Sequence, residues 1–338
     1  MRSGQELSAG TLLSANGSSP PVRTAGIAGL GMAVPERVVT NEPIARRLGV
    51  ADGWIETRTG INERRYADGD ATLSALAAQA ASEALAAADV EATDLDLVLV
   101  ATTTQDEMLP NAAPKVAAEL GAGQIGAIDI GAACTGFVSA LALAAGQIES
   151  GRSDRILVVG AEIMSRVVDP DDRPTAGLFG DGAGAAVVTA GGPARLGPAV
   201  QSSDGVDGPE LIYATNQERL VHMAGQDTFK NAVRRLSEST LDAVAAADLT
   251  LEDIDVFVYH QANGRILRAV GERLKLPSER VVDCIGSYAN TSAATIPIAL
   301  VEADRAGMLV PGAKVLLSAF GAGFTWGAMT IEWGAEDA

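Results

Sequence analysis

The chain has 338 residues, of which 47% are hydrophobic, and its 25 basic and 43 acidic residues give a formal net charge of −18. This length predicts about two domains with a substantial core and excludes a disordered chain. The acidity excludes a general nucleic-acid binder and docking on anionic lipid, because both need a basic surface. Every apolar run is shorter than about 18 residues, so no transmembrane helix is expected.

Cysteine and histidine are scarce in this chain. The cysteines are Cys134 and Cys284, and the histidines are His222 and His260. Two cysteines cannot form a disulfide scaffold, and two of each residue type do not form a plausible zinc cluster. The sequence therefore predicts a cytoplasmic protein without a metal. An enzyme that uses histidine has only two candidates here.

Strand and helix patterns alternate along most of the chain. Residues 1–23 are rich in Ser, Gly and Pro and predict a flexible N-terminal tail. After the tail, continuous apolar runs predict buried strands, and Ala-rich or periodic stretches predict helices. The predicted strands are 24–34, 95–102, 154–162, 182–190, 254–260, 313–323 and 326–333. The predicted helices are 71–90, 136–150, 229–249, 264–276 and 295–307.

The two halves of the chain echo each other. In each half a helix ending in Ala-Ala-Asp precedes an acidic turn and a buried strand, ATDLDLVLVAT at 92–102 and TLEDIDVFVYH at 250–260. Alternating strands and helices predict parallel sheets covered by helices, and the echo predicts a duplicated α/β unit. The Gly-rich stretches at 26–31 and 180–186 do not match the dinucleotide-binding fingerprint, so no such site is expected.

Four segments carry residues suited to covalent chemistry. Cys134 follows the strand-like IGAIDI and opens a helix, whose positive N-terminal end favours the thiolate; a buried structural cysteine is the alternative. His260 ends an apolar strand, where functional residues of α/β folds cluster, or is a core histidine. Asn290 stands in a small polar loop, or in a helix N-cap region. The glycines of 318–327 suit an oxyanion hole or a tight turn.

Taken together, these segments resemble β-ketoacyl-acyl-carrier-protein synthase III, a decarboxylating condensing enzyme of the thiolase fold, from about residue 24 to 334. Six segments follow the family's order and spacing: WIETRTGINERR, DIGAACTGF, FGDGAGAAV, HQANGRI, YANTSAAT and FGAGFTWG. The resemblance implies an α/β, thiolase-like fold in which two duplicated halves form a five-layer αβαβα architecture. Residues 24–192 would carry the nucleophilic cysteine, and residues 193–338 the histidine and asparagine.

The resemblance implies a catalytic triad of Cys134, His260 and Asn290. Cys134 would take the acyl group from a thioester. His260 Nε2–H and the Asn290 amide would then stabilise the enolate that forms when a malonyl thioester loses CO₂. The backbone N–H groups of Cys134 and Ala322 would form the oxyanion hole. Asparagine at 290 excludes the Cys-His-His elongating synthases.

The resemblance also implies a binding site for coenzyme A thioesters, which are substrates, and no cofactor. Trp54 and Arg173 match the pair that holds the adenine, and Arg58 matches a phosphate-side contact. In a homodimer, Leu109 matches a residue that lines the partner's acyl pocket, and Phe324 is expected near the acyl group. The pantetheine tunnel is matched by Gly225, Gln226, Phe229, Ala262 and Asn263.

An acidic carrier protein would be repelled by a net charge of −18 unless it met a local basic patch. Two neighbouring predicted helices supply the basic residues of the expected docking patch, and two solvated helix faces are the alternative interpretation. The residues of this patch are Lys230, Arg234, Arg265, Arg268 and Arg273.

Three functions remain open at this point. The first is the condensation of an acyl-CoA primer with malonyl-acyl carrier protein in fatty acid synthesis. The second is a starter-unit or acyltransferase enzyme of a secondary-metabolite (polyketide) pathway. The third is a non-catalytic partner subunit, and the intact triad counts against it.

Overall fold

The computed structural model describes residues 23–215 and 217–334, so the predicted tail lies outside the described residues except for Arg23. The helices are α1 Asn41–Leu48, α2 Trp54–Thr59, α3 Leu73–Ala88, α4 Ala112–Glu119, α5 Gly136–Glu149, α6 Gly225–Ala246, α7 Gly264–Leu274, α8 Ile285–Tyr288 and α9 Thr295–Arg305. The strands are β1 Ala25–Ala33, β2 Val38–Thr40, β3 Glu63–Arg65, β4 Leu97–Ala101, β5 Gly126–Ile130, β6 Arg155–Ile163, β7 Asp181–Ala190, β8 Ala194–Ser203, β9 Ile212–Ala214, β10 Val221–Met223, β11 Val256–Tyr259, β12 Lys314–Gly321 and β13 Thr325–Glu332.

The large sheet repeats one strand order. Its strands run β11-β12-β13-β8-β1-β7-β6-β4-β5, and the two halves join where β1 pairs with β8. The strands of each half can be numbered in chain order from one to five. From the outer edge of the sheet to the junction of the halves, they then lie in the order third, second, fourth, fifth, first. In the second half, a bridge between Phe257 and Val281 stands at the place of the third strand. This repetition confirms the predicted duplication. The predicted boundary at 192 and 193 falls between β7 and β8 and stays a prediction.

Helices lie between and outside the two halves of the sheet. The apolar helices α5 and α9 contact strands of both halves and each other. Helices α3 and α4 cover the outer face of the first half, and α6 and α7 cover that of the second. The described residues therefore form the predicted five-layer αβαβα architecture. Among them, no helix is both long and apolar enough to cross a membrane.

The acidic turn before the matching strand makes the same kind of hydrogen bond in both halves of the chain. The Asp96 carboxylate accepts the backbone N–H of Arg155 at 2.9 Å, and the Asp255 carboxylate accepts that of Lys314 at 2.9 Å. Each aspartate thus ties the start of its own strand to the start of the neighbouring parallel strand. The register of the central strands is set in the same way twice.

The two central helices also begin alike. A 3₁₀ turn over Ala133–Thr135 leads into α5, and one over Ser292–Ala294 leads into α9. The first residue of each turn has left-handed backbone, with φ of 45° at Ala133 and 51° at Ser292. Such a conformation costs a non-glycine residue roughly 1 kcal/mol or more. The surrounding packing must therefore hold both turns in place.

Glycines allow these turns to lie against the sheet. A Cβ on Gly160 of β6 would lie 2.3 Å from the carbonyl oxygen of Ala293. A Cβ on Gly321 of β12 would lie 3.0 Å from the backbone nitrogen of Cys134. The distance at Gly160 is too short for any side chain, so glycine is required there, whereas a side chain at Gly321 would need the Cys134 turn to shift by a few tenths of an ångström.

Sequence patterns did not predict β8. Its segment, ARLGPAVQSS, contains Gly197 and Pro198, which are typical of loops. The strand nevertheless forms because β13 pairs with most of its length. Pairing with a distant strand overrides the local preference.

Gly160→Ala should lower the free energy of unfolding by at least about 1–3 kcal/mol, because the added methyl group overlaps the Ala293 carbonyl. The matched control is Gly146→Ala in α5, where a Cβ meets nothing within 4 Å. That variant should gain about 0.5–1 kcal/mol, since glycine disfavours a helix interior. Urea denaturation measures both changes, and equal stability of the two variants would contradict the proposed contact.

Candidate active site

A cleft of about 1330 Å³ opens where loops from both halves meet. The hairpin β9–β10 forms one of its walls. The cleft is lined by Cys134, His260 and Asn290, and by Ala322, whose backbone N–H was predicted for the oxyanion hole. The eight residues predicted to contact coenzyme A also line it, namely Trp54, Arg58, Arg173, Gly225, Gln226, Phe229, Ala262 and Asn263.

Cys134 lies in the turn that precedes α5. Its Sγ donates to the Ser292 hydroxyl, with 3.6 Å between sulfur and oxygen. Burial raises the pKa of the Cys134 thiol to about 12, the Ser292 hydrogen bond acts in the opposite direction, and the charge of Glu162 raises it further. The loss of solvation thus opposes the thiolate that the helix N-terminus is expected to favour.

His260 directly follows β11 and is 2% exposed. Its Nδ1 lies 2.6 Å from the Thr295 hydroxyl oxygen. The same hydroxyl donates to the Ser292 carbonyl at 3.0 Å, and this carbonyl also accepts the Thr295 backbone N–H. Which ring nitrogen carries the proton follows from the acceptor that the hydroxyl hydrogen takes, Nδ1 or the Ser292 carbonyl. Burial lowers the pKa of His260 to about 3, so the ring is neutral at physiological pH.

The Asn290 side chain is fixed by its own loop. Its Oδ1 accepts the backbone N–H of Ser292 at 2.8 Å. The backbone of Asn290 pairs with Leu178 and Gly180 in hydrogen bonds of 3.0 Å each. Within residues 23–215 and 217–334 the Nδ2 group has no hydrogen-bond partner. The amide therefore offers its N–H donors to the cleft.

Sequence reasoning missed a buried carboxylate behind the cysteine. Glu162, near the end of β6, is 0% exposed. It accepts hydrogen bonds from the hydroxyls of Thr102, Thr103, Thr104 and Ser292 and from the Thr103 backbone N–H. The only signal in the sequence was an acidic residue at the end of an otherwise apolar strand.

The cleft is cationic although the chain is acidic. Six cationic side chains line it and only two acidic ones do, Asp70 and Asp106. Such a surface attracts anionic ligands against the field of the whole protein. The cationic residues are Arg58, Arg166, Arg173, Arg219, Lys230 and Arg265.

Aromatic and guanidinium groups meet at the cleft entrance. The Arg58 guanidinium lies 4.4 Å from the centre of the Trp54 ring, and that of Arg265 lies 5.4 Å from the centre of the Phe229 ring. Arg58 thus covers one face of Trp54. The Asn263 side chain caps α7 by accepting the Arg265 backbone N–H at 2.9 Å.

Several predicted site residues lie elsewhere in the single chain. Leu109 is 79% exposed and does not line the cleft. Phe324 is buried behind the cleft, with its ring 4.7 Å from that of Phe320, which does line it. Of the predicted docking residues, Lys230 and Arg265 line the cleft, whereas Arg234, Arg268 and Arg273 lie outside it. Across the described ranges, no group of three metal-binding side chains occurs.

Comparison with known proteins identifies close relatives. Two family models match: 3-oxoacyl-[acyl-carrier-protein (ACP)] synthase III over residues 128–205, and its C-terminal part over residues 244–333. The β-ketoacyl-[acyl-carrier-protein] synthase III of Bacillus pumilus is 45% identical over 313 residues, which cover 92% of this chain and 99% of the relative.

Solved structures share the fold over nearly the whole chain. The 3-oxoacyl-[acyl-carrier-protein] synthase III of Aquifex aeolicus has a TM-score of 0.88 and 41% identity, covering 91% of this chain and 100% of its own. The priming β-ketosynthase from the R1128 polyketide biosynthetic pathway has a TM-score of 0.89 and 35% identity, covering 95% and 100%. These matches confirm the thiolase-like fold and the family resemblance.

The buried neutral imidazole predicts a pH dependence of stability. Below pH 6.5 the unfolded chain binds a proton at His260 that the folded chain does not bind until about pH 3. As the pH is lowered across this window, protonation of this group in the unfolded chain should decrease the free energy of unfolding by up to about 1.4 kcal/mol per pH unit. Denaturant unfolding of His260→Gln should lack this contribution, with His222→Gln on the surface as the control. Parallel profiles for wild type and His260→Gln would contradict a neutral His260.

Proposed function

This chain belongs to the 3-oxoacyl-[acyl-carrier-protein] synthase III family, and on that premise we propose that its cleft condenses an acyl-CoA primer with malonyl-acyl carrier protein. The enzyme is a condensing acyltransferase. The observation that carries the proposal is the meeting of the Cys134 thiol, the neutral His260 ring and the Asn290 amide in one cationic cleft. A cytoplasmic location belongs to the proposal, since Cys134 must stay reduced to act.

The first half-reaction is acyl transfer to Cys134. The phosphates of coenzyme A are anionic, and Arg58, Arg173 and Lys230 line the entrance through which they would bind. The adenine would occupy the face of Trp54 that Arg58 leaves open. The cysteine sulfur attacks the thioester carbonyl, and the backbone N–H groups of Cys134 and Ala322 hold its oxygen while coenzyme A leaves as the thiol.

The second half-reaction is decarboxylative condensation. The malonyl thioester loses CO₂, and the electron pair of the broken bond forms an enolate. With the ring proton on Nε2, His260 would hold the enolate oxygen together with the free Nδ2–H of Asn290. Because both groups are neutral, they stabilise the enolate without trapping it as an ion pair. The enolate carbon then attacks the acyl carbonyl and releases Cys134.

A second candidate function is the priming of a polyketide pathway. The similarity to the R1128 priming β-ketosynthase favours it. Both candidates use the same covalent intermediate and differ in the primer and in the carrier protein that they serve. A variant of this candidate transfers the acyl group to another nucleophile without decarboxylation. A panel of acyl-CoA primers, compared by kcat/KM with malonyl-acyl carrier protein as acceptor, distinguishes these cases.

The carrier protein would dock on the basic helix faces beside the cleft. Lys230 and Arg265 are at the rim, and Arg234, Arg268 and Arg273 extend the basic surface beyond it. In this arrangement the residues at the rim would contact coenzyme A. The residues outside the cleft would bind the acidic carrier protein. Electrostatic complementarity of this kind acts mainly on association.

The edge strand β5 supports the proposed homodimer. It ends the large sheet and is paired only with β4. Ile128 on β5 is 53% exposed, and Leu109 is 79% exposed. An open edge with large exposed apolar side chains fits an interface with a second copy. In that dimer Leu109 would enter the partner's acyl pocket.

Asn290→Ala should separate the two half-reactions. With acyl-CoA alone, intact-mass analysis should show one acyl group on wild type and on Asn290→Ala, and none on Cys134→Ala. Addition of malonyl-acyl carrier protein should give β-ketoacyl product at least about 100-fold more slowly in Asn290→Ala, because one enolate donor is lost. Equal loss of acylation and condensation would contradict this division, and a wild type that never acylates would refute the proposed function.

Arg268→Glu should raise the KM for malonyl-acyl carrier protein several-fold and leave the KM for acyl-CoA unchanged, because Arg268 is exposed and lies outside the cleft. The control is Arg152→Glu, an exposed arginine beyond the far end of α5 from Cys134. Steady-state kinetics with each substrate varied in turn measures the effect. Equal changes in both variants would indicate net charge rather than a docking patch.

Ile128→Glu should weaken the dimer, since a charge would be buried at the edge of β5. Sedimentation velocity over a range of concentrations should show a dimer for wild type and a shift toward monomer for the variant. The exposed Leu241 on α6, changed to Glu, serves as the control. A monomeric wild type would refute the homodimer.

A further inference from the structure

The acylation step leaves one proton without an acceptor. Cys134 is partly exposed to the cleft, and its raised pKa favours the protonated thiol, so its proton must move as the sulfur attacks. His260 is a poor acceptor, because burial lowers the pKa of its ring to about 3 and so disfavours the imidazolium that would form. The acceptor must therefore be sought on the other side of the sulfur.

A chain of hydrogen bonds leads from the sulfur to a carboxylate. The thiol donates to the Ser292 hydroxyl at 3.6 Å, and this hydroxyl donates to Glu162 Oε1 at 3.0 Å. The chain joins the turn before α5, the turn before α9 and the end of β6. Ser292 is 3% exposed and Glu162 is 0% exposed, so both groups of the chain are shielded from bulk water.

The hydrogen bonds that Glu162 receives favour the ionised form that can accept a proton. The Thr102 hydroxyl accepts the Thr104 backbone N–H, and the Thr104 hydroxyl accepts the Ile163 backbone N–H, so both direct their own hydrogens at the carboxylate. The Thr103 N–H can only donate. Burial raises the pKa of Glu162 against these donors, and this makes the carboxylate a stronger base.

The side chains that donate hydrogen bonds to Glu162 are all uncharged. Threonines from the loop after β4 surround one side, and Ser292 from the turn before α9 closes the other. Cys134 is the titratable group that faces the carboxylate through Ser292. Within the part of the chain that the structure describes, no cationic side chain donates a hydrogen bond to Glu162.

We propose that Ser292 and Glu162 form the proton path that activates Cys134. As the sulfur–acyl bond forms, the thiol proton passes to Ser292 Oγ and the Ser292 proton passes to Glu162 Oε1. When the bond between the acyl carbon and the coenzyme A sulfur breaks, the proton returns along this path and coenzyme A leaves as the thiol. Ser292 touches the reacting sulfur, and Glu162 acts through Ser292. The inference rests on the proposed function only for the identity of the acyl donor.

The pH dependence of Cys134 alkylation by iodoacetamide tests the path without any acyl substrate. Ser292→Ala and Glu162→Gln should react about 100-fold more slowly than wild type near pH 7, the scale of a lost general base. As the pH is raised, the alkylation rate of these two variants should increase only in the alkaline range. The wild-type rate should already increase at a lower pH. Intact mass, compared with Cys134→Ala, identifies the modified cysteine.

Ser239→Ala is the matched control, because it also removes a buried serine hydroxyl, one hydrogen-bonded to Ser318 at 3.0 Å. It should keep the wild-type pH profile. If Glu162 had a purely structural role, Glu162→Gln would lower the thermal midpoint of unfolding. The pH profile of alkylation would then be unchanged in the folded variant. If Glu162→Gln does not fold, Ser292→Ala decides, since it removes a single hydroxyl.

An unchanged alkylation profile in folded Ser292→Ala overturns the proton path. Single-turnover acylation by acyl-CoA should show the same loss in both variants. If wild type shows the predicted alkylation profile but takes up no acyl group from acyl-CoA, the proposed function fails and the proton path stands.

Discussion

The close approach of the Ala293 carbonyl to Gly160 is the contact on which the rest of the site depends. Because no side chain intervenes at this point of β6, the turn before α9 lies directly on the sheet. This places the Ser292 hydroxyl between Glu162 and Cys134, and it fixes the loop from which the Asn290 amide faces the cleft. A displacement by the width of one methyl group would weaken all of these contacts together.

Local patterns predicted the central strands and helices, because apolar runs and periodicity are visible within one segment, whereas the triad was implied by the resemblance of several segments taken together. Glu162 was not predicted, since its hydrogen-bond partners lie about 60 residues before it and 130 after it. The effect of burial on the Cys134 pKa was not predicted, for a related reason. The helix dipole is a local property, whereas burial is created by the whole fold. The place of Phe324 behind Phe320 likewise depends on packing between distant segments.

The net charge of the chain does not describe the charge of its cleft. The net charge of −18 describes the whole molecule, but six of the side chains that line the cleft are cationic and two are acidic. The field of the remaining surface repels extended polyanions. A compact anionic ligand that reaches the cleft meets the opposite sign, so recognition and repulsion operate on different length scales.

The matched turns at Ala133 and Ser292 have a consequence for the history of the chain. Both begin a central helix with the same left-handed residue, so they occupy equivalent places in the two halves. One turn carries the nucleophile, and the other carries its hydroxyl partner beside the amide. Neither half holds a complete set of reactive groups. The duplicated units have therefore specialised into complementary, non-interchangeable parts, and the molecule is functionally indivisible although its architecture is a repeat.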